Sequence, residues 1–376
     1  MELTPLQEAL RGQTGNSPQA KAIAHYRGAE SASRFTDPQQ EFTALLRGCG
    51  IYDLGFRARV LITGSDRQRW LNGMVTNNIR DLAVGHGVYA FLLNPQGRIL
   101  GDMWAFNRGE SLIVETDRSQ VEQMLATFDH YIIMDDVEAK EVSGQQTALG
   151  LSGPRSRGVL NAVGIEVPEL QPLQIITPSC ACDCDCMECT VVRGDNAGQE
   201  SYEIWLDAKD VLKTWQALLS AGATAVGSEA LEMQRIASGI PLYGVDIRDR
   251  DLPQETEQTR ALNFSKGCYV GQEIVERIRS RGNVHRKFSV FMLESSEPVV
   301  AGTKIISGDK EVGEVTSSAV LGTSSGLRTI AVGYLRREVA VPGREVVIGT
   351  ARGSVVQLPV ESIRFQSAED AVLHKV

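Results

Sequence analysis

The chain has 376 residues, which at about 150 residues per domain predicts two or three domains. Hydrophobic residues make up 42% and charged residues 23%, the balance of an ordinary globular protein, which excludes a disordered or fibrous chain. No apolar run reaches the roughly 18 residues of a membrane-spanning helix, and the first residues lack the basic start and apolar stretch of a secretory signal. We therefore expect a cytoplasmic protein without a membrane partner.

The formal net charge is −9, from 38 Lys and Arg against 47 Asp and Glu, so a general affinity for nucleic acids is not expected. A basic run from Arg277 to Lys287, with no acidic residue in it, is the local exception. It is either a solvated edge or a local anion site. The seven cysteines are odd in number, which favours reduced thiols over a disulfide framework.

The first forty residues are polar and weakly periodic, which predicts one or two helices leading into the first domain. From residue 57 onward the apolar pattern is clearer. It predicts strands over 58–62, 88–93, 99–106 and 111–115, a helix around Trp70, Leu71 and Met74, and a second helix with the apolar face Val121, Met124, Leu125 and Phe128. Ser119 and Glu122 have the spacing of a capping box for that second helix.

A second segment repeats the first. Thr63-Gly64 and Ser152-Gly153 are 89 residues apart, as are Leu71-Asn72 and Leu160-Asn161. A constant offset of this length predicts a duplicated α+β subdomain rather than a solenoid. After these two segments, residues 288–363 are rich in Val, Gly, Ser and Thr, with short alternating runs broken by glycines, which predicts a small antiparallel barrel or sandwich.

The sharpest local motif is KGCYVGQE at residues 266–273, which is followed by a helix-like segment. Cys268 stands between two glycines, with Lys266 before it and a predicted helix start after it. Both neighbours favour the thiolate, so the thiol could be reactive. An isolated cysteine can equally pack as a small buried hydrophobe, and the residues alone leave both interpretations open.

This motif resembles the K-G-C-Y-x-G-Q-E signature of the folate-binding YgfZ-like proteins, relatives of the glycine-cleavage T-protein. Residues 66–73 with Thr76-Asn77 resemble the D-x-x-x-W-L-x-G…T-N segment of that superfamily, and residues 235–244 with Asp246 resemble R-[LI]-E-A-G-x-P-x-Y-G-x-D-I. The resemblance implies an α+β, three-domain cloverleaf with duplicated subdomains and a C-terminal antiparallel β-barrel. The domains expected are 1–145, 146–285 (with the KGCYVGQE motif) and 286–376.

The resemblance also implies a ligand, tetrahydrofolate or another folate derivative. The residues that it assigns to folate binding are Asp102, Glu203, Arg235, Tyr243 and Lys266, and its catalytic candidates are Cys268 and Asp102. A carboxylate such as that of Glu203 suits the parallel N–H donors of a pterin edge. The other interpretation of Glu203 is an outward strand residue whose neighbours face the core.

The sequence departs from the T-protein pattern at two acids. T-proteins carry two adjacent acids after a glycine-rich turn, whereas Gly97-Arg98-Ile99-Leu100-Gly101-Asp102 keeps the second alone. The acid of R-[LI]-E-A-G is Ala237 here, while Arg235 remains available for a carboxylate. The single Asp102, together with the cysteine of KGCYVGQE, favours a protein that binds folate without transferring an aminomethyl group, whereas the departure at Ala237 weakens the site.

Five of the seven cysteines are crowded between Cys180 and Cys189. Cys182, Cys184, Cys186 and Cys189 could hold a soft metal or part of an Fe–S cluster. Their spacing is not the paired C-x-x-C of a structural zinc site, so a solvent loop with incidental thiols is the preferred interpretation.

The leading hypothesis is a folate-binding protein that supports the assembly or maintenance of Fe–S enzymes, including RNA-modifying enzymes such as those that act on tRNA. The Fe–S enzymes or their assembly factors would then be its partners. One alternative is a folate-dependent aminomethyltransferase of the glycine-cleavage type. A third is an accessory module that contacts RNA, or an RNA-modifying enzyme, through the basic run.

Overall fold

The computed structural model describes residues 2–12, 18–178, 189–196, 199–323 and 326–357. Residue contacts divide the chain into two units. Unit 1 consists of Met1–Leu92, Gly101–Leu231 and Arg260–Val270, and unit 2 consists of Leu93–Leu100, Glu232–Thr259 and Gly271–Val376. The predicted three-domain boundaries, 1–145, 146–285 and 286–376, stay a prediction.

The secondary structure of the described residues mixes helices and strands throughout. The helices are α1 (Pro5–Arg11), α2 (Pro38–Arg47), α3 (Arg67–Met74), α4 (Arg118–Tyr131), α5 (Ser156–Ala162), α6 (Val211–Ser220), α7 (Ser228–Ala237) and α8 (Gln272–Arg281). The strands are β1 (Ala22–Tyr26), β2 (Ala29–Arg34), β3 (Gly50–Asp53), β4 (Arg57–Thr63), β5 (Gly87–Leu93), β6 (Ile99–Asn107), β7 (Leu112–Asp117), β8 (Glu138–Glu141), β9 (Gln146–Ser152), β10 (Ile175–Ile176), β11 (Cys189–Arg193), β12 (Ser201–Asp207), β13 (Thr224–Val226), β14 (Arg286–Leu293), β15 (Lys304–Ser307), β16 (Lys310–Thr323), β17 (Gly326–Arg336), β18 (Glu345–Ile348) and β19 (Ala351–Val356).

Two sheets make up most of unit 1, and four strands of the first, β5-β6-β7-β4, have the same order as four of the second, β10-β11-β12-β9. The first runs β5-β6-β7-β4-β8 and the second β10-β11-β12-β9-β3-β13. Strand β9 begins and ends 89 residues after β4, and α5 begins 89 residues after α3. The predicted duplication of an α+β subdomain is thus confirmed, and its offset is the one that the sequence repeats show.

One hydrophobic core of unit 1 lies against the second sheet. Its inward side chains include Ile51, Leu149, Tyr202 and Ile204 from the strands and Trp215 from α6, each without solvent exposure. Burial of several hundred Å² of aromatic and aliphatic surface there, at about 25 cal/mol per Å², holds the helices to the sheet.

The N-terminal region differs from its prediction. It contains α1 and α2, but the intervening segment forms the hairpin β1–β2, which the sequence pattern did not predict. Its two-residue turn, Arg27-Gly28, has positive φ at both positions, 51° and 99°, as in the tight turns that join paired strands.

The capping box expected at Ser119 and Glu122 is also wrong. Helix α4 begins at Arg118, after Asp117, which places Ser119 inside the helix.

A closed six-stranded barrel is the main element of unit 2. Its order is β14-β17-β16-β15-β18-β19, with β14 pairing antiparallel with both β17 and β19. Phe291, Val315 and Leu335 are among the side chains that fill its interior. Of the barrel and the sandwich left open by the sequence, the barrel is confirmed.

Candidate functional site

Asp102 lies on β6 in unit 1 with its carboxylate held from two sides. Tyr89 Oη donates a hydrogen bond to Oδ2 (2.7 Å) and Gln120 Nε2 donates to Oδ1 (2.9 Å). The main-chain N–H of Asp102 donates back to Gln120 Oε1 (3.0 Å), and Thr116 Oγ1 donates to its carbonyl oxygen (2.8 Å). Only 7% of Asp102 is exposed. Burial, and then the charge of Asp102, raises the pKa of Tyr89, so its phenol stays a hydrogen-bond donor.

Aromatic rings continue this arrangement from Tyr89. Its ring centroid is 5.1 Å from that of Trp104, whose indole Nε1 donates to Asp195 Oδ2 (3.1 Å). The guanidinium carbon of Arg260 lies 4.4 Å from the Tyr89 ring, and that of Arg57 lies 4.1 Å from the Trp104 ring. Arg260 also forms an ion pair with Asp195. Close to the Asp102 carboxylate, Arg260 therefore lies over the Tyr89 ring and Arg57 lies over the Trp104 ring.

Glu203 lies on β12, one of the two central strands of the second sheet. Its neighbours Tyr202 and Ile204 are fully buried on one face of the strand, whereas Glu203 is half-buried on the other face. Trp205, on the same face as Glu203, packs against Phe106 of the first sheet, and its Nε1 donates to Glu203 Oε2 (3.1 Å). Glu203 therefore lies on a face that packs against the first sheet, with its carboxylate oriented by the Trp205 indole.

A buried charge cluster lies next to Glu203. Glu115 is 3.2 Å from Arg59 and 4.0 Å from Arg57 in its ion pairs. Burial raises the pKa of Glu115 above its usual range, and the charge and hydrogen bond of Glu203 act in the same direction against the pull of Arg59. Arg57 is attracted to both Glu115 and Glu203 while it stacks on Trp104. The structure thus brings Asp102 and Glu203 into one network, through Tyr89, Trp104 and Arg57.

Cys268 lies in the Arg260–Val270 segment of unit 1, and its side chain is exposed. The segment is fixed to the end of α3. Val270 N–H donates to Gly73 O (3.0 Å), and the buried Lys266 Nζ donates to the carbonyl oxygens of Asn72 and Val75 (2.7 Å for Val75). Burial, and then the charge of Arg80, lowers the pKa of Lys266 to about 7. Cys268 is therefore presented to solvent by an anchored loop.

Arg235 and Tyr243 lie in unit 2, and both are engaged there. Arg235 Nη1 donates to Asp246 Oδ2 (2.6 Å), and its Nε donates to Glu232 Oε2 (2.9 Å). Tyr243 Oη donates to Asp249 Oδ1 (2.7 Å). The roles assigned to them by the family resemblance, in holding folate, stay predictions, as do those of Lys266, Glu203, Asp102 and Cys268.

The residues that link the site were missed at the sequence level. Tyr89, Trp104, Arg57, Arg260 and Asp195 are distant in sequence and meet only when the two sheets and the Arg260–Val270 segment fold. One signal was available: Arg57 and Arg59 alternate with apolar residues inside a buried strand, where a charge needs a partner.

The cysteine run lies mostly outside the described residues, which include neither Cys182, Cys184 nor Cys186. Cys189 begins β11 and is buried, and burial raises its pKa to about 11. Within the described ranges, no His, Cys, Asp and Glu side chains are grouped as metal ligands. The proposal of a metal or cluster at this run therefore stays a prediction.

None of the helices in the described part of the chain is long and apolar enough to cross a membrane.

Comparisons with known proteins extend along nearly the whole chain. The GCVT N-terminal domain family matches residues 6–266. The aminomethyltransferase of Geobacillus kaustophilus is 24% identical over 353 residues, 92% of this chain and 94% of the relative, and that of Rubrobacter xylanophilus is 27% identical over 335 residues, 86% and 89%. A chloroplastic putative transferase of Arabidopsis thaliana is 24% identical over 86% of this chain and 73% of its own.

Among solved structures, the aminomethyltransferase T of the glycine cleavage system from Bartonella henselae superposes with a TM-score of 0.82. It is 19% identical, and the match covers 97% of this chain and 99% of that one. At this identity the likeness is one of fold, and it confirms the predicted fold class.

Proposed function

Because the chain belongs to the GCVT N-terminal domain family, we propose that it binds tetrahydrofolate in unit 1 and that Cys268 acts with this site to support Fe–S enzymes. The observation that carries the binding proposal is the half-buried Glu203 carboxylate, oriented by Trp205 and joined to Asp102 through one network. The exposed Cys268 thiol, on the loop that Lys266 anchors, supports the proposal that Cys268 acts with the folate site.

The residues of this network fit a reduced pterin chemically. A pterin edge offers two parallel N–H donors, and Glu203 is a partly exposed carboxylate of the network that can accept both. The rings of Tyr89 and Trp104 offer apolar faces, and Arg260 offers a cation. When bound, tetrahydrofolate would supply nitrogen atoms that accept or hold a one-carbon unit.

Glu115 and two arginines surround Glu203 in this crowded place. Burial, and then the charge of Glu203, raises the pKa of Glu115, which favours its protonated form. Arg57 and Arg59 are each attracted to Glu203 as well as to Glu115.

Aminomethyl transfer is the second candidate, and the names of the Geobacillus and Rubrobacter relatives favour it. The surroundings of Asp102 argue against it. Gly101 stands where T-proteins carry the first of two acids, and a Cβ there would meet Gln120 Oε1 at 3.0 Å. Because Gln120 also binds Asp102, this chain has a glutamine where the acid pair would be completed.

An RNA-contacting module is the weaker alternative. In the basic run, Arg286 and Lys287 are already paired with acidic side chains of unit 2, and Arg279 forms an ion pair with Glu276. A run with its own counter-charges attracts phosphates less strongly than an unpaired one.

The binding proposal is tested by calorimetric titration of tetrahydrofolate into the wild-type protein and into Glu203→Ala. Loss of a charge-assisted bidentate contact should cost about 2–3 kcal/mol, near a hundredfold in affinity. Glu200→Ala is the matched control, because Glu200 lies three residues away and binds Tyr202 and Arg157.

Equal affinity of Glu203→Ala and wild type would remove Glu203 from the site. Absence of binding to the wild-type protein would overturn the folate proposal as a whole. Circular dichroism of each variant separates loss of contact from loss of folding.

A further inference from the structure

Unit 2 contains a cleft of about 540 Å³ in which basic side chains outnumber acidic ones. The basic residues that line it are Arg98, Arg250, Arg286, Lys304 and Arg336. Two carboxylates, those of Glu311 and Glu314, face them. This excess of positive charge occurs in a chain whose net charge is −9.

The barrel places several of these side chains on one face. Arg286 on β14 is directly opposite Arg336 on β17, and Glu314 on β16 is directly opposite Tyr334, two residues before Arg336. Residues two apart on a strand share a face, and that face is opposite to Leu335, which packs in the barrel interior. Two like charges directly opposite each other destabilise a strand pair unless a counter-charge lies near.

Not all of the cations are balanced by this unit's own acids. Arg286 is bound by Asp251 and Glu255, and Lys304 lies 3.0 Å from Glu311. For Arg98 and Arg336, by contrast, the described residues provide no carboxylate within ion-pair distance. Arg98 Nη1 instead donates to the carbonyl oxygen of Arg250.

Tyr334 forms part of the wall of the cleft. It is 4% exposed, and its hydroxyl is buried without a hydrogen-bond partner among the described residues. The guanidinium carbon of Arg286 lies 4.5 Å from its ring. Burial, and then the charge of Asp251, raises the pKa of this phenol further above its usual value. A ligand in the cleft therefore meets the side chain of Tyr334 but not its hydroxyl.

We propose that this cleft is a binding site for a small molecule that carries a phosphate-type dianion, held by Arg98 and Arg336. A dianion with three acceptor oxygens matches two guanidinium groups better than a single carboxylate does. The cleft volume lies in the range of small-molecule sites and exceeds that of a bare phosphate, so the ligand carries an organic part. This inference is independent of folate binding in unit 1.

The test is calorimetric titration of the whole protein at low ionic strength with inorganic phosphate, glycerol 3-phosphate and acetate. Glycerol 3-phosphate should bind more tightly than inorganic phosphate, and acetate should bind weakest. Arg336→Ala should weaken binding of both phosphates about tenfold. Arg337→Ala is the matched control: the adjacent, exposed arginine follows β17 and does not line the cleft.

Tyr334→Phe is a second control, in the wall of the cleft. Because it removes a buried hydroxyl without a partner, it should leave the melting temperature of the free protein unchanged or raised, and it should leave phosphate binding unchanged. The proposal is overturned if the wild-type protein binds neither phosphate at about 10 mM. It is also overturned if Arg336→Ala and Arg337→Ala lose affinity equally, or if acetate binds as well as the phosphates.

Discussion

The three cysteines within the described residues differ in how their thiols meet solvent. Cys268 is exposed, whereas Cys49 is 2% exposed and Cys189 is 8% exposed. Burial raises the pKa of Cys49, although a hydrogen bond from Ser156 Oγ (3.7 Å) opposes that shift, and burial also raises the pKa of Cys189. Since the thiolate is the reactive form, burial and a raised pKa disfavour reaction at Cys49 and Cys189, and exposure favours Cys268 as the reactive thiol of the three.

We therefore expect iodoacetamide near neutral pH to modify Cys268 before Cys49 and Cys189. The difference in rate should be at least about tenfold, because modification of the buried thiols requires local opening of the sheet. Peptide mass spectrometry along a time course gives the three rates separately. Comparable rates for Cys268 and Cys49 in the folded protein would show that the motif thiol is not preferentially available.

The Glu203 interpretation shows what a single strand can and cannot predict. Alternation of Tyr202 and Ile204 about Glu203 predicts that its carboxylate lies on the opposite face of the strand, and it does. That face is not an outward one, because Trp205 on the same face packs against the first sheet. The partners of the carboxylate come from elsewhere: Glu115 and Arg57 belong to the other sheet, at sequence distances that no local pattern encodes. The sequence could thus suggest single candidate residues, whose roles stay predictions, but not the network that joins them.

At the level of elements, the Arg260–Val270 segment depends on α3. Thr76 Oγ1 donates to Ala261 O (2.6 Å), and Asn263 N–H donates to Thr76 O (3.0 Å) just beyond the helix end. Lys266 adds a cation at the carbonyl end of α3, where the helix dipole favours positive charge. The cost of this anchor is a buried ammonium whose pKa is lowered to about 7.

This anchor predicts a pH dependence of stability. Between pH 7 and the usual lysine value of 10.5, the unfolded chain binds the Lys266 proton and the folded chain does not. The stability contributed by this group therefore rises with pH across that window. Relative to Lys266→Met, the wild-type free energy of unfolding should increase by on the order of 1 kcal/mol or more over it, measured by urea denaturation at several pH values.

Lys209→Met is the control for this comparison, because Lys209 is exposed and forms an ion pair with Asp207. Its unfolding curves should stay parallel to those of the wild type from pH 7 upward. Parallel curves for Lys266→Met as well would mean that the ammonium is not desolvated as its burial indicates.

The sequence predicts the strands whose side chains are buried along their length or on alternate positions. It does not predict β1, whose central side chains are exposed. Strands β4, β5 and β6 lie within one residue of their predicted limits. Strand β1 is exposed at three central positions, so no apolar pattern indicates it. Its turn requires positive φ at Arg27, and a Cβ on Gly28 would lie 2.4 Å from Ser119 N, so the turn is set by packing on α4 rather than by local preference.

For the whole molecule, the duplication could be predicted from the sequence because β9 and α5 of the second subdomain follow β4 and α3 of the first by the same number of residues, 89. The likeness of the chain to aminomethyltransferases follows from that shared fold and does not decide the reaction. What separates the two candidate functions is a set of residues: the Cys268 thiol, the single Asp102 and the Gln120 that accompanies it. Experiments that alter one of these residues and leave the fold intact therefore distinguish the two candidate functions.

The sharpest such experiment exchanges Cys268 for Ser in cells that lack the protein. Because the side chain is exposed and the loop is held by Lys266 and Val270, Cys268→Ser should fold normally and bind tetrahydrofolate with wild-type affinity. It should nevertheless fail to restore Fe–S enzyme activity, to a level at least about tenfold below wild type, since a hydroxyl cannot replace a thiolate in sulfur or redox chemistry. Ser265→Ala, an exposed change in the same loop, should restore activity fully. Full restoration by Cys268→Ser, together with aminomethyl transfer by the purified wild-type protein that Asp102→Asn abolishes, would instead establish the transferase as the function of this chain.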